Sequence, residues 1–375
     1  MNHEAVTVTS QSENATDIDL DPPPAPRAGR SDGAVIAEAR GLVKDLFNPA
    51  PAIYWADLLI SVTIGYGSFF LAHSPALPIP LRIGLFVLSG LGVYRAALFI
   101  HELVHIGSNE MRGFRITWNA LVGIPLLIPT FLYYTHLEHH RPKHYATHED
   151  GEYLPLARGP VSGILVMLLS GLVVPVLPVL RFLILTPASW TSRTLRALIN
   201  RHLSAMVIDP SYARPVPAPR EWRTWRIQEL LCLLYLLTIA VLVATRVIAL
   251  SWILEVYLVG VFALTINTVR TLGAHRYRHS QEEPHTLIEQ LLDSINHPRK
   301  PLLTEIWAPV GLRFHALHHL LPGLPYHALP EAHRRLMEAL PPDSPYRQTN
   351  SPSLRASLGQ LWRDAREAGF KATVK

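Results

Sequence analysis

The sequence predicts an all-α integral membrane protein in which four transmembrane helices carry a polar, helical cap. Three observations predict it. The 375 residues are 49% hydrophobic but only 17% charged, well below the roughly 25% of soluble domains. Several apolar runs approach the ~20 residues with which a helix crosses a bilayer. Most of the 19 histidines fall in short windows that follow or flank those runs.

Taken in order, the elements begin with MNHEAVTVTSQSENATDIDL and DPPPAP. This stretch lacks the basic region and apolar run of a signal peptide, and residues 1–32 read as a disordered leader. AVIAEARGLVKDLF predicts an amphipathic helix on the membrane surface, within 33–50. A membrane domain follows over 51–345, with residues 346–375 as a C-terminal tail. Its spans are expected at about 53–72, 81–100, 230–244 and 252–269. Pro75, Pro78 and Pro80 punctuate the first turn. A shorter apolar piece from Trp118 to Tyr134, holding Pro125 and Pro129, reads as re-entrant or interfacial. The run 163–185 is long enough to cross but contains Pro175, Pro178 and Arg181.

Charge decides the topology. Arg193, Arg196, Arg201, Arg214, Arg220, Arg223 and Arg226 stand against only Asp209 and Glu221 between residues 188 and 227. The positive-inside rule places that region in the cytoplasm. If 163–185 dips in and returns, bent at its prolines, the histidine-rich loop before it shares that side. Both termini are then cytoplasmic, and in a bacterium the membrane is the inner one. A full crossing would instead put His275 on the opposite side from the other clusters. The formal charge of +5 sits beside apolar spans, which points to lipid head groups and not to nucleic acid. Cys232 is the single cysteine, so no disulfide framework and no iron–sulfur or rubredoxin-type centre exists within the chain.

The histidine windows carry the chemistry. HELVH, with His101 and His105, fits the zinc-protease signature in which the intervening glutamate, here Glu102, activates water. The spacing i, i+4 turns both rings to one side of a helix. HLEHH places His136, His139 and His140, and HALHH places His315, His318 and His319, at i, i+3, i+4. At this histidine content one such pentapeptide arises by chance in about one chain in twenty, and two in about one in a thousand. TLGAHRYRH adds His275 and His279 just past the last span, with His275 the favoured ligand. Nine imidazoles are too many for a zinc protease, which needs three protein ligands and one open position. Nine neutral nitrogen donors suit two transition-metal ions, and iron is compatible with them. Since bound imidazoles usually donate their other N–H to a carboxylate or carbonyl, Glu102, Asp150, Glu152 and Asp293 are candidate partners, with His279 a further one. His144 and His148 exceed the nine-ligand pattern.

HELVH after a second span, HLEHH some thirty residues later, HALHH in the C-terminal region and a histidine after the last span together resemble the membrane fatty-acid desaturase family. The resemblance covers roughly residues 50–345. It implies four membrane helices and a cytoplasmic cap holding two non-haem iron ions, with O2 as co-substrate. It also implies that the nine histidines ligate iron and that two hydrogens are removed from a fatty acyl chain or acyl lipid. Many relatives carry an asparagine four residues before the post-span histidine. Here that position is Thr271, with Asn267 a turn further back. There is no fused cytochrome b5 haem motif, so electrons are expected from a separate ferredoxin, rubredoxin or cytochrome b5 type of partner. The expected function is therefore O2-dependent acyl desaturation. A fatty-acid or alkane-type di-iron hydroxylase is the alternative. A divalent-metal transporter, from another class, would need polar ligands near the bilayer midplane, where this sequence has few ionisable residues.

Overall fold

The computed structural model of the chain describes residues 32–107, 109–216 and 218–373. All but the last residue of the expected leader lies outside them. Among the described residues the architecture is helical throughout, with isolated β-bridges and no strands. Helix α1 (Asp32–Leu42) leads to α2 (Pro51–Ala72) and α3 (Ile79–His105). Short helices α4 (Arg112–Trp118) and α5 (His136–His139) follow. Next come α6 (Val161–Ser170), α7 (Leu177–Leu180), α8 (Thr186–Ser189) and α9 (Arg193–His202). The chain then forms α10 (Pro219–Ala244) and α11 (Leu250–Leu272). The cap closes with α12 (Leu287–Asp293), α13 (Pro301–Trp307), α14 (His315–Leu320), α15 (Leu329–Ala339) and α16 (Leu354–Thr373).

α2, α3, α10 and α11 are long and apolar enough to cross a membrane. α3, α10 and α11 outrun their apolar stretches because polar ends remain helical. α3 continues through His105, so both histidines of HELVH stand on the rigid end of a 27-residue helix. α10 begins eleven residues before Leu230, in a turn carrying Glu221. The α2–α3 hairpin is tight because Gly65 faces Gly92. A Cβ on Gly92 would lie 2.6 Å from the Gly65 nitrogen, and one on Gly65 would lie 3.0 Å from that of Val93, so small residues let the backbones touch. The run 163–185 is broken. α6 ends at Ser170, turns follow, and a π-helical segment (Arg181–Leu185) separates α7 from α8. Prolines at 175 and 178 remove the amide donors that a continuous helix would need.

The cap has its own cores. Val35, Ala39 and Val43 share an apolar core with Ile288, Leu291, Ala316, Leu317 and Leu320, in which α1 lies against α15. The stretch beyond 345, expected as a tail, forms α16. Its Leu361 and Ala365 pack against Leu156, Ile164 and Met167, and Arg278 pairs with Asp364 at 2.8 Å.

Candidate metal centre

The residues around each histidine explain where it points. In HALHH, Ala316 and Leu317 belong to the apolar core behind α14. His315, His318 and His319 are therefore turned to the opposite side, where all three are buried. α3 delivers His101 and His105 above a core of Tyr54, Leu58, Phe99, Leu103 and Trp118. α5 brings His136 and His139, with His140 at its C-cap, and His275 follows the end of α11.

These nine histidines converge as two groups. His101, His105, His136, His140 and His318 form one, and His139, His275, His315 and His319 the other. Within each group, one nitrogen from every ring lies within 4.8 Å of those of all the others. Neighbours in the second box thus part company, His140 joining the first group and His139 the second. In the third box His318 goes to the first group while His315 and His319 go to the second.

The close nitrogens are Nε2 atoms. In the four-histidine group, His275 lies 2.7 Å from His315 and 3.2 Å from His139, and His319 lies 3.0 Å from His315. In the five-histidine group, His140 lies 2.9 Å from His136, and His318 lies 3.1 Å from both His105 and His140. Several of the opposite nitrogens face outward acceptors. His139 Nδ1 lies 2.8 Å from Asp150, and His136 Nδ1 lies 3.0 Å from Glu152. His275 Nδ1 lies 2.9 Å from the Tyr145 hydroxyl, which donates its own proton to Asp293 at 2.8 Å. A neutral imidazole has one N–H and one lone pair. Where Nδ1–H donates outward, the Nε2 lone pair points inward, at other Nε2 atoms. Buried lone pairs facing one another are unfavourable unless a cation lies between them. His101 Nε2 is buried without a partner, which adds to the same demand. The donor set fits two borderline-soft transition-metal ions.

Electrostatics agree with this assignment. Burial, and then neighbouring imidazoles, hold His140, His275, His315, His318 and His319 well below the usual histidine range, leaving their lone pairs free for a metal. His139 is the exception. Burial opposes its charging, but the Asp150 carboxylate, with Glu152 and Asp293 behind it, raises it. A metal ion on Nε2 would occupy the position that this environment otherwise offers to a proton.

The other expected site residues divide. Asp150 and Glu152 contact ring nitrogens directly, while Asp293 lies 3.7 Å from His275 Nδ1 and reaches it through Tyr145. Glu102 does not touch a histidine. It accepts hydrogen bonds from the Tyr54 hydroxyl at 2.6 Å and the Tyr326 amide at 3.1 Å, tying α2 and α3 to the loop after the third box. Thr271 accepts from Arg270. His279 lies against His285, with ring centroids 4.0 Å apart and planes tilted by 42°, and belongs to neither group. The sequence reading overlooked Tyr145, whose position within the polar KHYATHED loop was the available signal. It also overlooked Gln290, whose side-chain amide lies 2.9 Å from His319 Nδ1 and which nothing local announces. Among the described residues no comparable ligand group lies in the interior of a span, where a metal transporter would need one.

Comparison with known proteins matches this arrangement. The profile described as "Fatty acid desaturase" matches residues 73–350. A ceramide hydroxylase of Caulobacter vibrioides (strain NA1000 / CB15N) is 40% identical over 344 residues, which cover 91% of this chain and 97% of that protein.

Proposed function

The chain belongs to the fatty acid desaturase family, and we propose that within it this protein is a membrane-bound, O2-dependent di-iron hydroxylase acting on a ceramide-type lipid. The observation that carries hydroxylation is the likeness to a ceramide hydroxylase along nearly its whole length. That likeness favours the hydroxylase alternative over the desaturation expected from the histidine boxes alone. The boxes do not distinguish the two outcomes, because both use one ligand set and differ in how the acyl carbon is placed.

His101, His105, His136, His140 and His318 would hold one iron, and His139, His275, His315 and His319 the other. Bound there, the metals supply reductive activation of dioxygen. The overall reaction puts one oxygen atom into a C–H bond and releases the other as water, consuming two protons and two electrons. The chain's own residues do the rest. Asp150, Glu152 and the Tyr145–Asp293 pair accept the outward N–H of three ligands, which fixes their tautomers and aims Nε2 inward. The cap excludes water from the ligand cluster, and the lipid-exposed faces of the spans let an acyl chain approach from the bilayer. Cys232 is buried among apolar side chains. The electrons therefore come from a separate ferredoxin, rubredoxin or cytochrome b5 type of carrier. The arginine-rich segment before α10 supports a cytoplasmic cap and termini, in the inner membrane of a bacterium.

Metal analysis of the purified protein, paired with lipid profiling of cells that express it, tests this reading. The expected result is two irons per chain and a sphingolipid that has gained one oxygen atom. A lipid that has instead lost two hydrogens restores desaturation. One zinc and an unchanged lipid profile would remove both.

A further inference from the structure

Residues 204–214, between α9 and α10, carry no histidine, yet they run across both stems of the second box. Before HLEHH, the Leu132 carbonyl accepts the Met206 amide at 2.8 Å. After it, the Gly151 carbonyl accepts the amides of Ile208 at 2.8 Å and Asp209 at 3.0 Å. The Asp209 carboxylate in turn accepts the side-chain amide of Gln281 at 3.1 Å, on the loop that follows His275. One strap therefore ties together the two stems of the second box and the chain beyond the last span.

Both ends of the strap are fixed by arginines. Arg181, on the broken run 163–185, donates to the Leu203 carbonyl at 2.9 Å and the Ser204 hydroxyl at 3.1 Å, and it pairs with Glu229 of α10. Arg214 donates to the carbonyls of Ser204 and Phe131, and its guanidinium lies 4.0 Å from the centroid of the Trp225 ring. All three charged side chains are buried. Moving the strap would strip such groups of their partners away from water, which is costly.

Gly151 is where the strap meets the histidine groups. Its neighbours in sequence are Asp150, which holds His139 of the four-histidine group, and Glu152, which holds His136 of the five-histidine group. Asp150 also accepts the Glu152 amide at 2.9 Å, so the two carboxylates belong to one turn. The φ of Gly151 lies outside the left-handed region, and it is space that excludes a side chain here. A Cβ would lie 2.4 Å from Val207 Cγ1 and 2.9 Å from Tyr212 Cγ, closer than atoms pack. We propose that the strap is a positioning device. Seated on Gly151, it sets Asp150 and Glu152 and through them aligns one ligand ring in each histidine group at once. Gly151 and Val207 are positioning residues that act through the two carboxylates. The proposal rests on the histidine groups holding metal, as in the reading above, and not on which oxidation they drive.

Iron affinity is measured by chelator competition on purified wild type, Gly151→Ala, Gly151→Ala/Val207→Ala, Asp150→Asn and Glu152→Gln. Mössbauer spectra report the two iron environments, and Tm is recorded for each protein. Asp150→Asn should weaken the four-histidine group and Glu152→Gln the five-histidine group. Gly151→Ala should instead weaken both, by about 10- to 100-fold, the cost of losing a ligand's supporting partner, and should change both iron environments. Adding Val207→Ala removes the atom nearest the new Cβ and should restore part of the affinity at both groups. If Gly151→Ala does not fold, Gln281→Leu removes one tie of the strap without crowding it and should cause a smaller loss, again at both groups. Wild-type affinity at both groups in Gly151→Ala, whatever its Tm, overturns the proposal; if Gly151→Ala does not fold, wild-type affinity in Gln281→Leu does the same. So does a loss confined to one group, or one that Val207→Ala does not relieve. A wild type without metal overturns the reading of the site and this inference with it. With metal bound, the result is independent of which lipid product is formed.

Discussion

The two histidine groups lie side by side but are held in place by different means. In the four-histidine group, three rings have a polar partner on Nδ1: Asp150 for His139, Tyr145 for His275 and Gln290 for His319. All four residues are buried. In the five-histidine group Glu152 contacts His136, while Nδ1 of His101, His140 and His318 has no partner. His105 and His140 are only partly buried. What the five-histidine group has instead is a rigid platform, because His101 and His105 stand on α3 above a packed aromatic core. His275 and His139 stand on the ends of elements, where backbone geometry fixes a ring less firmly. Hydrogen bonds supply there the orientation that a long helix supplies elsewhere.

That contrast can be broken most directly by removing ligands. His318→Ala and His275→Ala should each lower activity more than about 100-fold, beyond the usual cost of losing a ligand's supporting partner. Metal content should fall by one equivalent in each, without loss of membrane insertion. Retained activity in His318→Ala would take the third box out of the centre. The supporting carboxylates come next. Asp150→Asn should cost about 10- to 100-fold in metal affinity or activity. Glu152→Gln should cost less, because α3 already organises its group. Equal losses, measured as metal retained after dialysis, would erase the distinction between the groups. Chelation probes the difference in burial. Metal should leave in two phases, the partly exposed five-histidine group emptying several-fold faster, whereas one phase would mean the centres open together. The smallest effect is expected at Gln290. Gln290→Leu should change activity only a few-fold, since His319 remains held by α14 and its apolar backing.

Much of this was legible before any coordinates. Spacing identified the nine histidines because chance seldom repeats i, i+3, i+4 in one chain, and apolar length identified the four spans. The extent of the helices was not legible, because polar turns continue a helix past the apolar run. Nor was α16, whose partners Leu156, Ile164 and Met167 lie some two hundred residues away in sequence. The setting of Glu102 was hidden for a similar reason. Its hydrogen-bonding partners, Tyr54 and Tyr326, come from distant segments.

The sequence by itself determined which nine histidines could come together and the membrane class, both properties of residue type and local spacing. Only the tertiary structure decided how the ligands are shared. On a helix, i and i+4 differ by about 40° around the axis and i+3 lies about 60° to the other side. One box can therefore face two centres, but which centre each ring meets depends on how α3, α5, α11 and α14 come together. HELVH lends both histidines to one group. HLEHH and HALHH each divide between the two, and it is these divided boxes that bind the two groups into a single site.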